Sequence, residues 1–176
     1  MYQSETSKFR FLFLDYCKGN GIDVGFGGDP IVPTAITIDL SKPYAETGKS
    51  PQNLKGDGRN LYWFNDNTLD YVYSSHLLED FIDTKEVLQE WIRVLKPNGY
   101  LLLLLPDEQR CRVYFRKSCK PYNEHHKHED FSLNKIKEIL KSLEVKIIKE
   151  IDNLVYEPEQ SDYNFAIIAQ KNKGIF

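Results

Sequence analysis

The stretch Gly21-Ile22-Asp23-Val24-Gly25-Phe26-Gly27-Gly28-Asp29 joins a short apolar run, an acid and three closely spaced glycines. Glycine lets a backbone turn sharply and approach a ligand with no Cβ in the way. A glycine-rich turn that closes a buried strand is where open α/β sheets bind nucleoside-containing cofactors. The stretch therefore predicts a strand followed by a ligand-binding turn, and the remaining chain has to show whether a cofactor belongs there.

Length and composition predict one globular domain over residues 1–176. The chain has 28% charged and 41% hydrophobic residues, both near globular averages, and a chain of this length can bury a substantial core. The net charge of −3 creates no overall positive field. This charge argues against nucleic acid and against an anionic membrane as partners.

The sequence also predicts a cytoplasmic location. The first eight residues are polar and lack the apolar core of a signal peptide. The longest apolar run covers only residues 101–105, far short of the roughly 20 residues that cross a bilayer. Three cysteines, an odd number, suggest no disulfide framework, which fits a reducing compartment.

Hydrophobic spacing and turn residues predict alternating strands and helices. A helical face begins at Phe9, and strands are expected at residues 22–24 and 35–40. The six residues between these strands include Pro30 and Pro33 and are too few for an ordinary crossover helix. The first βαβ unit is therefore predicted to lack its helix.

The rest of the chain completes an α/β pattern. A loop is expected at 41–53, a brief strand before residue 58, a strand at 69–74, a helical turn at 76–81, a helix from Thr84, a strand at 100–105, a polar irregular segment at 107–130, a helix capped by Ser132, and strands at 145–152 and 163–170. This order predicts a mostly parallel sheet with an antiparallel hairpin at its end.

Acids lie at or near the ends of three successive strands of this predicted sheet. Asp23 belongs to the first strand and its turn, Asp39 ends the second strand, and Asp57 ends the third. The carboxyl ends of parallel strands share one edge, so these acids are expected to line one crevice. A carboxylate after the second strand suits the two hydroxyls of a ribose, and one after the third strand suits the amine of an adenine.

Six motifs in sequence order resemble the class I S-adenosylmethionine-dependent methyltransferases that act on small molecules. They are Gly21–Gly28, Ile36–Asp39, Gly56–Asp57, Phe64-Asn65-Asp66-Asn67-Thr68-Leu69-Asp70, Ser74-Ser75-His76-Leu77-Leu78-Glu79-Asp80 and Arg93-Val94-Leu95-Lys96-Pro97-Asn98-Gly99. Together they extend over about half of the chain. The resemblance implies a Rossmann-like methyltransferase fold, with seven strands and an antiparallel last strand.

The resemblance also implies S-adenosylmethionine as the cofactor, a small-molecule acceptor and a set of site residues. The cofactor-binding residues implied are Asp23, Gly25, Phe26, Gly27, Asp39, Leu40, Asp57, Gly58, Ser74 and Ser75. His76 is the candidate catalytic base with Glu79 behind it, and no metal is implied. The alternative that His76 only packs or caps the turn after the fourth strand stays open.

The chain departs from the family pattern at two places. Asp29 and Pro30 follow the glycines where a third glycine and a helix are usual, and Asp80 replaces a second histidine. These departures leave open a methyltransferase-like domain that binds a cofactor or another protein without catalysis. A nicotinamide-dependent oxidoreductase is a weaker alternative, because the G-x-G-x-x-G pattern is absent.

Residues 110–128 combine arginines, lysines and three histidines with aromatic residues. Arginines in the region that covers an acceptor site would suit an anionic or sugar-like acceptor. The alternatives are a solvated surface segment, a metal site whose spacing fits no zinc pattern, and a nucleic-acid surface, against which the acidic total argues.

Overall fold

The computed structural model describes residues 3–43 and 51–173, which form an α/β fold with one sheet. The strands are β1 Gly21–Val24, β2 Ile36–Asp39, β3 Leu54–Lys55, β4 Leu69–Ser75, β5 Leu95–Pro106, β6 Val145–Tyr156 and β7 Ser161–Lys171. The helices are α1 Glu5–Phe9, α2 Thr84–Val94, α3 Glu108–Lys117 and α4 Leu133–Lys141. Residues 44–50 of the predicted loop lie outside the described residues.

The sheet has the strand order β3-β2-β1-β4-β5-β7-β6. β1 to β5 pair in parallel, and β7 pairs antiparallel with both β5 and β6. Strands β2 and β3 follow β1 on one side and β4 and β5 lie on its other side, so the order of strands reverses between β1 and β4, and the carboxyl ends of these strands surround one crevice. The predicted fold class, seven strands with an antiparallel end, is confirmed; the single domain over residues 1–176 stays a prediction.

The core fills both faces of the sheet, as the leucine run in β5 shows. Leu101, Leu103 and Leu105 face one apolar cluster, whereas Leu102 and Leu104 face the other, and all five are fully buried. Successive side chains of a strand point to opposite faces, so a continuous apolar run marks a strand that is covered on both sides. Within the described residues, no helix is long and apolar enough to cross a membrane.

The glycine turn after β1 leads to β2 without a helix. Gly25, Gly27 and Gly28 all have positive φ (71°, 58° and 86°), a conformation in which side chains are strained. A Cβ at Gly25 would also lie 2.6 Å from Cδ2 of Leu77, too close for a real contact. The missing crossover helix is thus confirmed, and Phe9 and Phe13 of the N-terminal segment pack on that face of the sheet instead.

Helix α3 corrects the expectation of an irregular segment after β5. Asp107 caps it by accepting a hydrogen bond from the amide of Arg110 (3.0 Å). Only Glu108 and Cys111 of this helix are buried, so it lacks the apolar stripe that predicts an amphipathic helix. The sequence does contain one signal for this helix, which is an aspartate at the capping position before a run of good helix formers.

Asp23 is a fully buried carboxyl group within β1. Its Oδ2 accepts a hydrogen bond from the amide of Ile31 (2.7 Å), which ties the end of the glycine turn back to the strand. Its Oδ1 has no partner among the described residues. Burial raises the pKa of Asp23 to about 8, because a low-dielectric interior disfavours the charged form.

We predict that Asp23→Asn removes a pH dependence from stability. The folded state holds the Asp23 proton up to about pH 8, whereas the unfolded state loses it near its ordinary pKa of 3.8. Wild type should therefore lose unfolding free energy relative to the variant as pH rises from 4 to 8, by about 1.4 kcal/mol per pH unit at most. Urea unfolding of both proteins across this pH range measures the difference. If the plots of unfolding free energy against pH ran parallel for the two proteins, Asp23 would not have the raised pKa.

Lys171, near the end of β7, binds the C-terminal end of α2. Its Nζ donates to the carbonyl oxygens of Ile92 (2.8 Å), Arg93 (3.2 Å) and Leu95 (2.9 Å) and to Oδ1 of Asn67 (2.9 Å). The last carbonyls of a helix have no partner within it. One ammonium group therefore holds α2 to the sheet at the side opposite the crevice.

We expect Lys171→Met to lower the unfolding free energy by about 1–3 kcal/mol, because buried carbonyls lose a charged donor. Lys149→Met is the matched control, since Lys149 is an exposed lysine of the same hairpin. Its effect should stay within about 0.5 kcal/mol. Denaturant melts of both variants test this, and equal losses would show that the Lys171 contacts contribute nothing.

Candidate active site

Two cavities meet at the carboxyl ends of the central strands, and Gly25 and His76 line both. The first, about 280 Å³, is also lined by Asp39, Leu40, Asp57 and Gly58. The second, about 370 Å³, is also lined by Phe26, Gly27, Ser75, Glu5, Tyr122 and Tyr163. Eight of the ten predicted cofactor residues thus line at least one of the two cavities.

Asp39 stands where β2 ends, beside the glycine turn. Its Oδ1 accepts the amide of Leu40 (2.8 Å), and its Oδ2 accepts the amide of Gly27 (3.1 Å). These two amide contacts orient the carboxylate beside the first cavity. The predicted ribose partner therefore lies in the first cavity in a fixed orientation.

Asp57 lies on the same wall and forms an ion pair with Arg59. Nε of Arg59 lies 3.0 and 2.9 Å from the two carboxylate oxygens. These hydrogen bonds hold the pKa of Asp57 below its usual range. The neighbouring Gly58 carbonyl accepts a hydrogen bond from Nε1 of the buried Trp91 (2.7 Å). Helix α2 thereby positions the loop that was predicted to meet an adenine.

Asp29, the residue that departs from the family pattern, points away from this space. Nη2 of Arg10 lies 2.5 Å from its Oδ1, and the Ser4 hydroxyl donates to its Oδ2. Asp29 lines neither of the two cavities. Its charge is therefore paired with the N-terminal segment.

Two of the predicted cofactor residues, Asp23 and Ser74, lie outside the lining of both cavities. The hydroxyl of the buried Ser74 donates to the Val24 carbonyl (2.9 Å). Asp23 binds the amide of Ile31. Both side chains shape the turn next to the cavities.

His76 directly follows β4 and has a positive φ of 50°, which is uncommon for a residue with a side chain. Its Nε2 lies 2.7 Å from Oδ1 of Asn164. The amide nitrogen of Asn164 donates to Glu5, so Oδ1 is an acceptor and Nε2 of His76 is the donor. Nδ1 then carries the lone pair. Burial lowers the pKa of His76, so its neutral form is favoured at neutral pH.

Glu79 lies behind His76 and is almost fully buried, at 1% exposure. Its Oε1 is 3.5 Å from Nδ1 of His76 and 3.7 Å from Nε2 of His126. Burial raises the pKa of Glu79 well above the ordinary value, which favours the protonated carboxyl group. Glu79 lines neither cavity, so it can act on a ligand only through the two histidines.

His126 is a site residue that the sequence reasoning did not single out. Its Nδ1 lies 2.8 Å from Oε2 of Glu108, which is fully buried and also accepts hydrogen bonds from Tyr122 and Arg112. Burial alone would raise the pKa of Glu108, but these hydrogen bonds hold it below the usual range. An ionised Glu108 can only accept, so Nδ1 of His126 is the donor of this hydrogen bond.

Two arginines of the basic segment, Arg110 and Arg112, are paired with acids. Arg110 binds Asp107 and Asp152, and Arg112 lies 2.6 Å from Glu108. Neither arginine lines the two cavities. In the described part of the chain, no group of three or more histidine, cysteine or acidic side chains has the geometry of a metal site.

Known proteins share this fold. A chain described as an S-adenosylmethionine-dependent methyltransferase from Archaeoglobus fulgidus is 19% identical, with 94% of this chain and 92% of that chain covered and a TM-score of 0.68. One from Methanosarcina mazei is 17% identical, with 93% and 98% covered and a TM-score of 0.65. A chain from the Haloferax volcanii complex that contains the Trm112 methyltransferase activator is 13% identical, with 96% and 90% covered and a TM-score of 0.66.

No curated protein matches the sequence. A family model described as a methyltransferase domain matches residues 22–103, the span that holds the glycine turn, the three acids and His76. Residues 22–103 thus match a methyltransferase domain, and the chain shares the fold of proteins described as S-adenosylmethionine-dependent methyltransferases.

Proposed function

We propose that this protein transfers a methyl group from S-adenosylmethionine to a small-molecule acceptor by direct displacement. The observation that carries the proposal is the junction of two cavities at Gly25 and His76. A transfer between two bound molecules needs two compartments that meet where the reacting atoms lie. The first cavity has the residues for a nucleoside. In the second, Gly25, Phe26, Gly27 and Ser75 are assigned to the cofactor, and the remaining wall is left for an acceptor.

The first cavity fits the adenosine part of the cofactor. Asp39 would accept the ribose hydroxyls, and Asp57 with Gly58 would meet the adenine, beside Leu40. A Cβ at Gly58 would lie 2.6 Å from Cγ1 of Val24, so only glycine keeps this wall in place. Gly25, Phe26, Gly27 and Ser75 would surround the methionine part at the junction, and Asp23 and Ser74 would support the turn.

The cofactor supplies an activated methyl group, so the protein contributes alignment, water exclusion and a proton acceptor. His76 lines both cavities and keeps a lone pair on Nδ1. It is our candidate for the base, with Glu79 as the buried group that holds its ring. His126, oriented by Glu108, is a second base in the same wall.

The sequence-based expectation of an anionic or sugar-like acceptor loses part of its support in the structure. That expectation rested on the basic segment, and Arg110 and Arg112 already have carboxylate partners. Cytoplasmic location and the absence of nucleic-acid and membrane partners stay predictions.

A methyltransferase-like domain without catalysis is the second candidate. The turn between β1 and β2 contains no helix, so the cofactor would lack the positive end of a helix dipole next to its carboxylate. One protein of similar fold comes from a complex with a methyltransferase activator. Titration with S-adenosylhomocysteine tests the two candidates. If no heat of binding is measured, the methyltransferase activity is excluded and the second candidate is favoured.

We expect Asp39→Ala to weaken S-adenosylhomocysteine binding by about 10- to 100-fold, because two ribose hydroxyls lose a charged acceptor. Isothermal titration calorimetry measures this affinity. Asp39→Asn, which keeps the size of the side chain, should fall between alanine and wild type. Asp15→Ala, at an exposed aspartate far from the cavities, is the control. Unchanged binding in the alanine variant would refute the ribose assignment.

We also expect His76 to titrate below its ordinary pKa of 6.5, because burial disfavours the imidazolium. Glu5, Glu79, His126 and Lys8 are the charged or titratable groups nearest its ring. Proton NMR of the four histidines across pH 4–8 measures this, and His76→Gln assigns the signal. A signal that titrates at or above 6.5 would contradict a neutral base.

A further inference from the structure

The second cavity has a lining that favours positive charge. Among the described residues that line it there is a glutamate, Glu5, but no lysine or arginine. The lysines and arginines of the basic segment therefore do not line it. A cavity with one carboxylate and no permanent cation attracts a cationic ligand.

Glu5 is held rigidly in the wall. Its Oε1 accepts hydrogen bonds from Nζ of Lys8 (2.8 Å) and the Tyr163 hydroxyl (3.1 Å), and its Oε2 accepts one from Nδ2 of Asn164 (2.9 Å). Burial alone would raise the pKa of Glu5, but the neighbouring His76, the charge of Lys8 and the hydrogen bonds from Lys8 and Asn164 outweigh it and keep the pKa below its usual range. Glu5 therefore stays ionised.

Lys8 does not cancel this negative charge. Its Nζ lies between two carboxylates, 2.8 Å from Glu5 and 2.9 Å from Glu159. One ammonium and two carboxylates leave a net charge of −1 in this group. Because Lys8 is almost fully buried, the excess charge is weakly screened on the side of the cavity.

Aromatic rings form much of the remaining wall. Phe115, Tyr122 and Tyr163 all line the cavity, and the Phe115 centroid lies 6.0 Å from that of Tyr163 and 6.2 Å from that of Tyr122. Aromatic faces attract ammonium groups, with a larger effect where water is excluded. His76 and His126 also line the cavity.

We propose that the acceptor is an amine, which binds in its ammonium form between Glu5 and the aromatic side chains Phe115, Tyr122 and Tyr163. The proposal rests on the proposed function, since the amine is the molecule that would receive the methyl group. Glu5 is the residue that selects it. Hydroxyl and carboxylate analogues of equal size lack the charge that Glu5 and the rings recognise.

The transfer step balances without a further reactant. The ammonium first gives one proton to the base, for which His76 is the candidate, and this restores the nitrogen lone pair. That lone pair forms the new C–N bond while the S–C bond breaks and its electrons return to sulfur. The positive charge moves from sulfur to nitrogen, so a carboxylate fixed at the amine stabilises the product and the transition state that leads to it.

Glu5→Gln tests the selection, with Glu159→Gln as the matched control. Both residues bind Lys8, but Glu159 does not line the cavity. The probes are two matched sets of an amine, an acid and an alcohol. The aromatic set is 2-phenylethylamine, 3-phenylpropionate and 2-phenylethanol, and the aliphatic set is n-butylamine, butyrate and n-butanol. Their affinities are measured by calorimetry in the presence of saturating S-adenosylhomocysteine, and methylation by transfer of a labelled methyl group.

We expect at least one amine to bind wild type about tenfold more tightly than its acid and alcohol, and Glu5→Gln to remove that preference. Glu159→Gln should retain it. The proposal is wrong if an acid or alcohol binds as well as its amine, or if no amine binds. It is also wrong if Glu5→Gln weakens S-adenosylhomocysteine binding instead, since Glu5 would then hold the amino group of the cofactor.

These outcomes separate the two proposals. If S-adenosylhomocysteine binds neither to wild type nor to the variants, the proposed function fails. The affinities of amine and acid are then compared without S-adenosylhomocysteine, which tests the charge preference of the second cavity by itself. If the cofactor product binds and the amines do not, only the acceptor class fails.

Discussion

The close packing of Gly25 against Leu77 is the constraint on which the candidate site depends. A Cβ at Gly25 would lie 2.6 Å from the leucine side chain, and the residue has positive φ. Only glycine satisfies both conditions without strain. This contact brings the turn after β1 against the turn after β4. The two cavities share a boundary because those turns touch, and His76 stands at that boundary because it precedes Leu77.

A second constraint is the burial of polar groups between the C-terminal hairpin and the turn after β4. Asn164 of β7 binds both Glu5 and His76, so one amide sets the orientation of a carboxylate and an imidazole. Glu79 and Glu108 lie on either side of His126. Buried polar groups are costly unless they are satisfied, and an acid cluster of this kind at a cavity is typical of functional sites. The cluster therefore supports a chemical role for this wall.

Most of the fold could be predicted because its signals are local. The leucine run at 101–105 marks a strand covered on both faces, and the prolines after Gly28 leave no room for a helix before Ile36. Helix α3 was missed, because its buried positions are Glu108 and Cys111 rather than an apolar stripe. Patterns of hydrophobicity detect elements that bury apolar surface. They do not detect an element whose inner face carries a buried carboxylate.

The sequence by itself determined the order of strands and helices, the glycine turn, and the acids that follow β2 and β3, since turn chemistry and strand spacing are encoded by neighbouring residues. Which side chains share a cavity depends on contacts between residues that are distant in the chain. Glu5 and Asn164 are far apart in the chain yet 2.9 Å apart in space, and Asp29 is neutralised by Arg10 from a different segment. Charge pairing and burial depend on such distant contacts. They leave no periodic trace in the sequence, so the sign of charge in the acceptor cavity emerged only when the chain was folded.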